Sequence, residues 1–318
     1  MVLPLTANQG YTTAHLIRLG IPLMNFDPTP CKGGLNKIES ILITGGTGSF
    51  GTAFVKFLLA ETNIQRICVF SRGEHAQAAL RDAVGDNPLV RYMVGDVRDL
   101  ARLTRACRGV DAVVHAAALK RIEVGAYNPD EMVKTNVLGT MNVIEAAVNA
   151  GVKYVVGLSS DKAFEPCSPY GQSKALGESL LLAANHMQGK TKFACTRYGN
   201  VTGSQGSVIP KWLALAKAGK DISLTNPECT RFHMTMNEAV NLVWDVLILM
   251  RGGELAIPPA LPAYRMGDLA TVISAAYGVW VHITGLPQFE KLHESMSADL
   301  CSKDARRLTL EELEVLIK

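Results

Sequence analysis

The 318-residue chain lacks long runs of basic or of apolar residues. Its formal net charge is only +3 and no Lys/Arg cluster is present, which argues against a nucleic-acid partner. The longest apolar stretch, residues 239–250, is interrupted by Asn241 and Asp245 and is too short to cross a bilayer. No signal peptide, internal repeat or low-complexity tract is visible. We therefore expect neither a nucleic-acid nor a membrane partner.

The seven cysteines are odd in number, scattered, and never spaced as a CxxC pair. This pattern fits neither a metal site nor a disulfide framework. We expect reduced thiols in a cytoplasmic protein that binds no metal. The remaining composition, with 48% hydrophobic and 19% charged residues, predicts a globular protein with one large core and a smaller lobe.

A glycine-rich loop separates the apolar run at residues 41–43 from a segment of helical spacing at residues 53–59. Gly45 permits turn geometry that a Cβ would forbid, Gly48 lets backbone N–H groups approach a pyrophosphate, and Gly51 lets the helix pack closely on the strand. Glycine triads also occur in ordinary turns, but the flanking strand and helix favour a dinucleotide site. The predicted cofactor residues here are Gly45, Thr47, Gly48, Ser49, Phe50 and Gly51.

Strand-like and helix-like segments alternate after this loop. The strands are short and apolar, which is typical of a parallel sheet with helices on both faces. They are predicted at residues 66–71, 90–94, 112–117, 153–159 and 192–198. The sequence therefore predicts an α/β fold with a doubly wound parallel sheet, a Rossmann fold that binds ligands at the carboxyl ends of its strands.

The alternating pattern loosens after residue 200. We expect residues 38–200 to form the dinucleotide-binding Rossmann domain and residues 201–318 to form a small C-terminal substrate-binding lobe, with some return of the chain to the sheet. Residues 1–37, which contain several prolines, form an N-terminal extension of unclear role. It is either a flexible or surface-packed segment, or a dimer contact or gate over the substrate site.

Tyr170 and Lys174 are four residues apart, so on a helix their side chains share one face. A phenol, with a pKa of about 10, is a poor base, but a nearby ammonium and a positive nicotinamide ring both favour the phenolate. Tyr170 then accepts a proton from a hydroxyl while hydride leaves the same carbon. The alternative is a solvated helix face, although the position one strand after Ser159-Ser160 favours a redox centre.

Further motifs accompany these two. The more specific ones are Asp161-Lys162 and the block at residues 290–294. The others are Ala116-Ala117-Ala118-Leu119-Lys120, Lys134-Thr135-Asn136, residues 197–201, residues 203–210 and Thr230-Arg231-Phe232. From residue 38 to the C-terminus, the chain resembles the extended short-chain dehydrogenase/reductases, and among them the inverting UDP-N-acetylglucosamine 4,6-dehydratase family of flagellin and capsule polysaccharide biosynthesis.

The resemblance implies a lyase that removes water from UDP-N-acetylglucosamine to give a UDP-4-keto-6-deoxy-HexNAc, with inversion at C-5. Bound NADP⁺ oxidises C-4 transiently, the C-5 proton becomes acidic, the C-6 hydroxyl leaves, and hydride returns to C-6. In the resembling family, positions matching Lys162 and Asp161 act as base and acid. Lys162 would then need a lowered pKa and Asp161 a raised one. An ion pair between the two is the alternative.

The cofactor is expected to be NADP because Ser71-Arg72, after the second strand, is polar and cationic and suits a 2′-phosphate. The alternative for Arg72 is a side chain that is merely solvated. Asp96 resembles the family position beside the adenine, and its alternative is an ordinary turn aspartate. Together with the loop, the implied cofactor contacts are Ser71, Arg72, Asp96, Val97, Ala116, Ala117, Ala118, Lys120, Asn136, Tyr170 and Lys174.

The resemblance also implies the substrate contacts, among which Arg231 matches a segment that contacts the diphosphate. The alternative for each cation is an ordinary surface residue. The implied substrate residues are Lys120, Ser160, Asp161, Lys162, Asn200, Val208, Arg231 and Lys291. His115, on an apolar strand, is expected to be a core histidine. The resemblance further implies a homo-oligomer of undetermined size.

Two other functions stay open. A UDP-sugar 4-epimerase needs only oxidation, rotation of the ketone and hydride return, so Asp161-Lys162 would be superfluous in it. A catalytically silent NADP-binding regulator would not need Tyr170 and Lys174. The chain also departs from the family pattern, since about forty residues precede its first strand.

Overall fold

The computed structural model describes residues 35–187 and 189–318. Of the N-terminal extension predicted at residues 1–37, residues 1–34 lie outside the described residues. The strands are β1 (Ser40–Thr44), β2 (Arg66–Ser71), β3 (Val90–Val94), β4 (Ala112–His115), β5 (Tyr154–Leu158), β6 (Lys192–Thr196), β7 (Asn200–Val201), β8 (Ile222–Leu224), β9 (Thr230–Met234), β10 (Leu255–Ala256), β11 (Ala263–Arg265), β12 (Val281–Ile283), β13 (Ser295–Ser297) and β14 (Leu300–Cys301).

Helices connect and cover these strands. They are α1 (Ser49–Glu61), α2 (Glu74–Val84), α3 (Leu100–Cys107), α4 (Ile122–Tyr127), α5 (Pro129–Met132), α6 (Gly139–Ala150), α7 (Pro169–Ala183), α8 (Val208–Lys217), α9 (Met236–Leu249), α10 (Met266–Tyr277) and α11 (Leu310–Ile317). A π-helical turn occupies Val133–Leu138, and 3₁₀ turns occupy Asp161–Ala163 and Ala184–His186. No described helix is both long enough and apolar enough to cross a membrane.

A seven-stranded sheet with the order β10-β6-β5-β4-β1-β2-β3 forms the centre of the molecule. All its neighbouring strands are parallel. The chain moves outward from β1 through β2 to β3 and then crosses to β4 on the other side, so a crevice opens between the carboxyl ends of β1 and β4. The predicted doubly wound α/β sheet is confirmed.

Both faces of the sheet are buried because successive side chains of a strand point in opposite directions. Ile41 and Ile43 of β1 pack on one face with Phe54 of α1. Leu42, between them, packs on the other face with Leu103 of α3. All three β1 side chains are fully buried, which explains the continuous apolar run in the sequence.

A smaller lobe covers the carboxyl edge of the sheet. Helices α8, α10 and α11 enclose their own apolar core, and β8 pairs with β12 beside it. The part of the chain between these elements returns to the main body, where α9 packs against α1 and β10 extends the sheet beside β6. Asn36 joins the start of the described chain to the end of α9, since its backbone N–H donates to the Ile248 carbonyl at 2.8 Å.

The glycine loop links β1 to α1. Gly45 has φ +67°, and a Cβ there would lie 2.8 Å from the Ala117 Cα atom. A Cβ on Gly51 would lie 2.5 Å from the Gly46 Cα atom, so Gly51 lets the first turn of α1 come close to the loop at the end of β1. The backbone of the loop therefore comes close to the segment after β4, at the crevice between the two strands.

We expect Gly45→Ala to destabilise the fold more than Gly85→Ala. Both glycines have a positive φ, but a Cβ at Gly85 meets no atom within 4 Å. The backbone strain, about 1–2 kcal/mol, is shared by both variants, whereas Gly45→Ala adds an overpacking cost of about 1–3 kcal/mol. Thermal denaturation followed by circular dichroism measures the difference. Equal melting temperatures for the two variants would contradict the close approach at Ala117.

Candidate active site

A cleft of about 250 Å³ opens where β1, β2, β3 and β4 end. Its lining residues are Gly45, Thr47, Gly48, Phe70, Ser71, Arg72, Gly73, Gly95, Asp96, Val97, Ala116, Ala117, Ala118 and Thr135. Ten of the predicted cofactor residues are among them. Sequence reasoning missed the other four, Phe70, Gly73, Gly95 and Thr135. For Phe70, Gly73 and Gly95 the signal was their position at or just beyond the end of a predicted strand.

Other predicted cofactor residues have partners elsewhere. The Ser49 hydroxyl accepts a hydrogen bond from the Gln205 backbone N–H at 2.8 Å, which ties the glycine loop to the substrate lobe. The ring of Phe50 stacks on Phe54, with 5.4 Å between ring centroids. Asn136 is buried and clamps the Leu119 backbone through both ends of its amide, at 2.8 Å each. These side chains position the walls of the cleft.

The end of β2 carries the two residues predicted to select the cofactor. The Ser71 hydroxyl accepts a hydrogen bond from Gln77 Nε2 at 3.0 Å, so its own hydrogen stays available to a ligand. The side chain of Arg72 is exposed at the rim of the cleft. Asp96 receives two hydrogen bonds from the Arg98 guanidinium, at 2.8 and 3.0 Å. Although burial would raise the pKa of Asp96, these bonds outweigh burial and hold the pKa low.

His115 is a core histidine. Its Nδ1 lies 2.8 Å from the Thr44 hydroxyl and its Nε2 lies 3.0 Å from the Thr140 hydroxyl, so both ring nitrogens are hydrogen-bonded. Burial and the positive charge of Lys174 lower its pKa to about 3. The imidazole therefore stays neutral and links β1, β4 and α6 behind the cleft.

The 3₁₀ turn at Asp161–Ala163 follows β5 and carries the predicted acid and base. The Ser160 hydroxyl caps the turn by accepting from the Lys162 backbone N–H at 3.3 Å. Helix α7 packs directly on the turn, because a Cβ at Gly171 would lie 2.4 Å from the Lys162 carbonyl oxygen. This contact brings Tyr170, the residue before Gly171, beside the turn.

Lys162 lies in a buried group of oxygen acceptors. Its Nζ is 3.1 Å from Asp161 Oδ1, 3.3 Å from Glu294 Oε1 and 3.4 Å from Asn200 Oδ1. Asp161 is 1% exposed and Glu294 is 2% exposed. The Ser160 hydroxyl also donates to Asp161 Oδ1 at 2.9 Å. The turn, β7 and the segment before β13 thus meet at one amine.

The protonation of this group corrects one expectation. Burial raises the pKa of Asp161 and exceeds the opposing effect of Lys162, in the direction that an acid requires. Burial would lower the pKa of Lys162, but the carboxylates of Asp161 and Glu294 outweigh it and raise that pKa. The lowered pKa that sequence reasoning required of Lys162 is therefore wrong for this arrangement, and the alternative of an ion pair holds.

Tyr170 and Lys174 lie near the start of α7, as their spacing predicted, but they act on different partners. Burial raises the pKa of Tyr170, while Lys162 and a hydrogen bond with Ser160 oppose this rise. The Lys174 amine donates to the Leu158 carbonyl at 2.5 Å, and burial lowers its pKa. The ammonium that most favours the phenolate is thus Lys162 and not Lys174.

Sequence reasoning missed Glu294, which belongs to the block at residues 290–294 but was not chosen as a site residue. Its carboxylate contacts Lys162 through Oε1 and lies 3.5 Å from Lys291 Nζ through Oε2. Burial would raise the pKa of Glu294, but three surrounding cations lower it. The sequence offered two glutamates in this block, Glu290 and Glu294. Only the folded lobe shows that Glu294 is the one that faces Lys162.

The remaining predicted substrate residues differ in their availability. Arg231 is 5% exposed and its guanidinium donates to Glu290 at 2.6 Å and to the Lys291 carbonyl at 3.0 Å, so these partners already occupy it. Lys291 donates to the Phe164 carbonyl at 2.6 Å. Lys291 thus joins the segment at residues 290–294 to the end of the 3₁₀ turn, and Arg231 is held by that same segment. Their expected contact with a diphosphate stays a prediction. The side chain of Lys120 is exposed.

The parallel sheet, the glycine loop and the Tyr170–Lys174 helix define a short-chain dehydrogenase/reductase-type protein. A family model described as polysaccharide biosynthesis protein matches residues 41–311, and the chain belongs to that family. It is 42% identical over 276 residues to UDP-N-acetylglucosamine 4,6-dehydratase (inverting) of Campylobacter jejuni, covering 86% of this chain and 80% of that protein.

Two further similarities bear on the site. The chain is 40% identical over 275 residues to UDP-glucose 4-epimerase of Rickettsia akari, covering 84% of this chain and 80% of that protein. The X-ray structure of Pen from Bacillus thuringiensis matches with a TM-score of 0.83 and 33% identity, covering 88% of this chain and 98% of that one. Relatives of comparable identity thus carry dehydratase and epimerase names.

We expect the pH dependence of stability to identify His115 as neutral in the fold. The ordinary pKa of histidine, 6.5, applies to the unfolded chain, and that of folded His115 is about 3. Between these values the unfolded chain binds more protons, so His115 makes stability decrease as the pH falls from about 6.5 towards 3. His115→Gln should show a shallower decrease in melting temperature across this range.

The control for this measurement is His75→Gln, the same exchange at an exposed side chain. It should keep the slope of the unmodified protein. If the melting temperatures of His115→Gln and His75→Gln fell with the same slope as the pH is lowered, His115 would not be the group responsible.

Proposed function

We propose that the protein is a nucleotide-sugar 4,6-dehydratase that converts UDP-N-acetylglucosamine into a UDP-4-keto-6-deoxy-HexNAc, with C-5 inversion. The observation that carries the proposal is the buried group at the turn, where the Asp161 carboxylate contacts the Lys162 amine and shares the hydroxyl of Ser160 with the Tyr170 phenol. Acid, base and redox phenol thus occupy one site. The dehydratase relative named above supports the same reaction.

The cleft fits a nicotinamide dinucleotide. Gly45 and Gly48 bring the backbone of the loop to the wall of the cleft at the start of α1, where a helix N-terminus suits a pyrophosphate, and Ser71 and Arg72 add a hydroxyl and a cation to the lining. The exposed cation in place of an acidic residue supports NADP over NAD. When bound, such a cofactor would supply the hydride acceptor for oxidation at C-4 and the hydride donor for C-6.

The chain's own residues perform the proton transfers. Tyr170 accepts the proton of the C-4 hydroxyl as the ketone forms. Lys162 removes the proton from C-5, which the ketone has made acidic. Asp161, whose raised pKa favours the protonated form, donates a proton to the departing C-6 hydroxyl. Lys174, which donates to the Leu158 carbonyl, holds the start of α7 against the end of β5.

Epimerase activity is the rival function, because relatives of similar identity carry that name. An epimerase requires no acid and base at C-5 and C-6. A silent NADP-binding regulator is disfavoured because Tyr170 and Lys174 both lie at the site. We further propose a homo-oligomer that works in the cytoplasm.

The proposed reaction is tested by incubating the purified protein with UDP-N-acetylglucosamine in heavy water. Dehydration predicts the loss of one water and the gain of one deuterium in the mass spectrum, because C-5 is reprotonated from solvent. An isobaric C-4 isomer would instead establish an epimerase. An unchanged sugar nucleotide would support the regulator.

We expect Lys162→Met to separate oxidation from elimination. Loss of a general base should reduce dehydration by about 10²–10⁴-fold. Oxidation at C-4 does not require this amine, so reduced cofactor should accumulate and be visible by absorbance. Tyr170→Phe is the control, since it should show neither reduced cofactor nor product. Full dehydration by Lys162→Met would remove Lys162 from its role as the base.

We expect Arg72→Ser to weaken NADP binding by about tenfold or more while NAD binding changes little. The exchange removes the cation that would pair with the 2′-phosphate, a charge-assisted contact that NAD cannot make. Isothermal titration with each cofactor measures the ratio of the two affinities. Arg105→Ser, which removes the same charge from the exposed face of α3, should leave the ratio unchanged. An unaltered ratio in Arg72→Ser would contradict the assignment.

A further inference from the structure

The Lys162 amine is surrounded by as many acceptors as an ammonium has N–H groups. Asp161, Glu294 and Asn200 each place one oxygen within 3.4 Å of Nζ. An ammonium bonded in this way has no lone pair and cannot act as a base. One of the three acceptors must therefore take a proton before Lys162 can remove another from the substrate.

The three acceptors differ in their capacity to take that proton. The Asn200 amide is not basic. Glu294 is held as a carboxylate by Lys162, Arg231 and Lys291. Asp161 remains. Its second oxygen, Oδ2, is buried with no hydrogen-bond partner among the described residues, and burial raises the pKa of this carboxyl. Glu294 Oε2 also lacks a hydrogen bond, but it lies 3.5 Å from the Lys291 amine, whose charge stabilises it.

We propose that Glu294 is the positioning residue of the elimination step, anchoring the Lys162 amine while a proton passes from Lys162 Nζ to Asp161 Oδ1. The inference rests on the proposed dehydratase function. One N–H bond breaks and one O–H bond forms, so the ion pair becomes a neutral amine and a carboxylic acid. The two remaining N–H groups of Lys162 stay bonded to Glu294 and Asn200, which keeps the amine in place.

The location of Glu294 suits an anchor because its backbone is held independently of any substrate. Its N–H donates to the Ser302 hydroxyl at 2.9 Å, and the Ser302 N–H donates to the Glu294 carbonyl at 2.7 Å. Lys291 lies 3.5 Å from the second carboxylate oxygen and also donates to the Phe164 carbonyl. The carboxylate is thus fixed to the end of the catalytic turn.

The charges of the surrounding group favour an internal proton transfer. Three acids, Asp161, Glu290 and Glu294, face three cations, Lys162, Arg231 and Lys291. Moving a proton from Lys162 to Asp161 leaves this balance unchanged, whereas losing it to solvent would leave a buried excess of negative charge. Tyr170 and Tyr264 are further titratable groups that interact with Lys162.

The test compares Glu294→Gln with Glu290→Gln in the full-length protein supplied with UDP-N-acetylglucosamine and NADP⁺. Glutamine at position 294 should lower the rate of elimination at least tenfold while C-4 oxidation continues, so reduced cofactor accumulates. Both limbs of the pH profile for elimination should move to lower pH, because a negative charge next to Lys162 is lost. Glu290→Gln removes the same charge at Arg231 without touching Lys162, so its ratio of elimination to oxidation should stay close to that of the unmodified protein.

Three outcomes would overturn the inference. Equal losses of oxidation and elimination in Glu294→Gln would show a general structural role. An equal fall of the ratio in Glu290→Gln would show that net charge matters and anchoring does not. Absence of both reduced cofactor and dehydrated product in the unmodified protein would refute the proposed function as well. If Glu294→Gln does not fold, Glu294→Asp replaces it in the test. Its shorter side chain moves the carboxylate away from Lys162, so the ratio of elimination to oxidation should still fall, and an unchanged ratio would overturn the inference.

Discussion

The ion pair between Lys162 and two buried carboxylates is the interaction on which the site depends. A lysine surrounded by Asp161 and Glu294 is costly to desolvate unless every N–H group finds an acceptor, and this structure supplies three. The acceptors come from the turn after β5, from β7 and from the segment before β13. The same contacts that neutralise a buried charge therefore attach the lobe to the sheet.

Helix α7 makes this arrangement useful for chemistry. The absence of a side chain at Gly171 lets the helix rest on the Lys162 carbonyl, so the Tyr170 phenol and the Asp161 carboxylate share the Ser160 hydroxyl. Residues 160–171 thus hold the phenol, the carboxylate and the Lys162 amine together, as the proposed dehydratase requires.

The resting charge state has a mechanistic consequence. Sequence reasoning treated an ion pair and an acid–base pair as competing interpretations of Asp161 and Lys162. In the mechanism proposed above they are two protonation states of one contact, whose nitrogen and oxygen lie 3.1 Å apart. The raised pKa of Asp161 and the ionised Glu294 indicate the direction of that transfer.

The sequence by itself determined the features that depend on local spacing. The glycine loop, the alternating strands of the sheet and the Tyr170–Lys174 helix all follow from short-range periodicity and turn chemistry. The tertiary structure alone decided which distant groups meet. Glu294 reaches Lys162, and Arg231 turns to Glu290, because the lobe folds over the sheet edge, and no local pattern encodes such contacts. The protonation of Lys162 could not be read from the chain, since it is set by charges that only folding brings together.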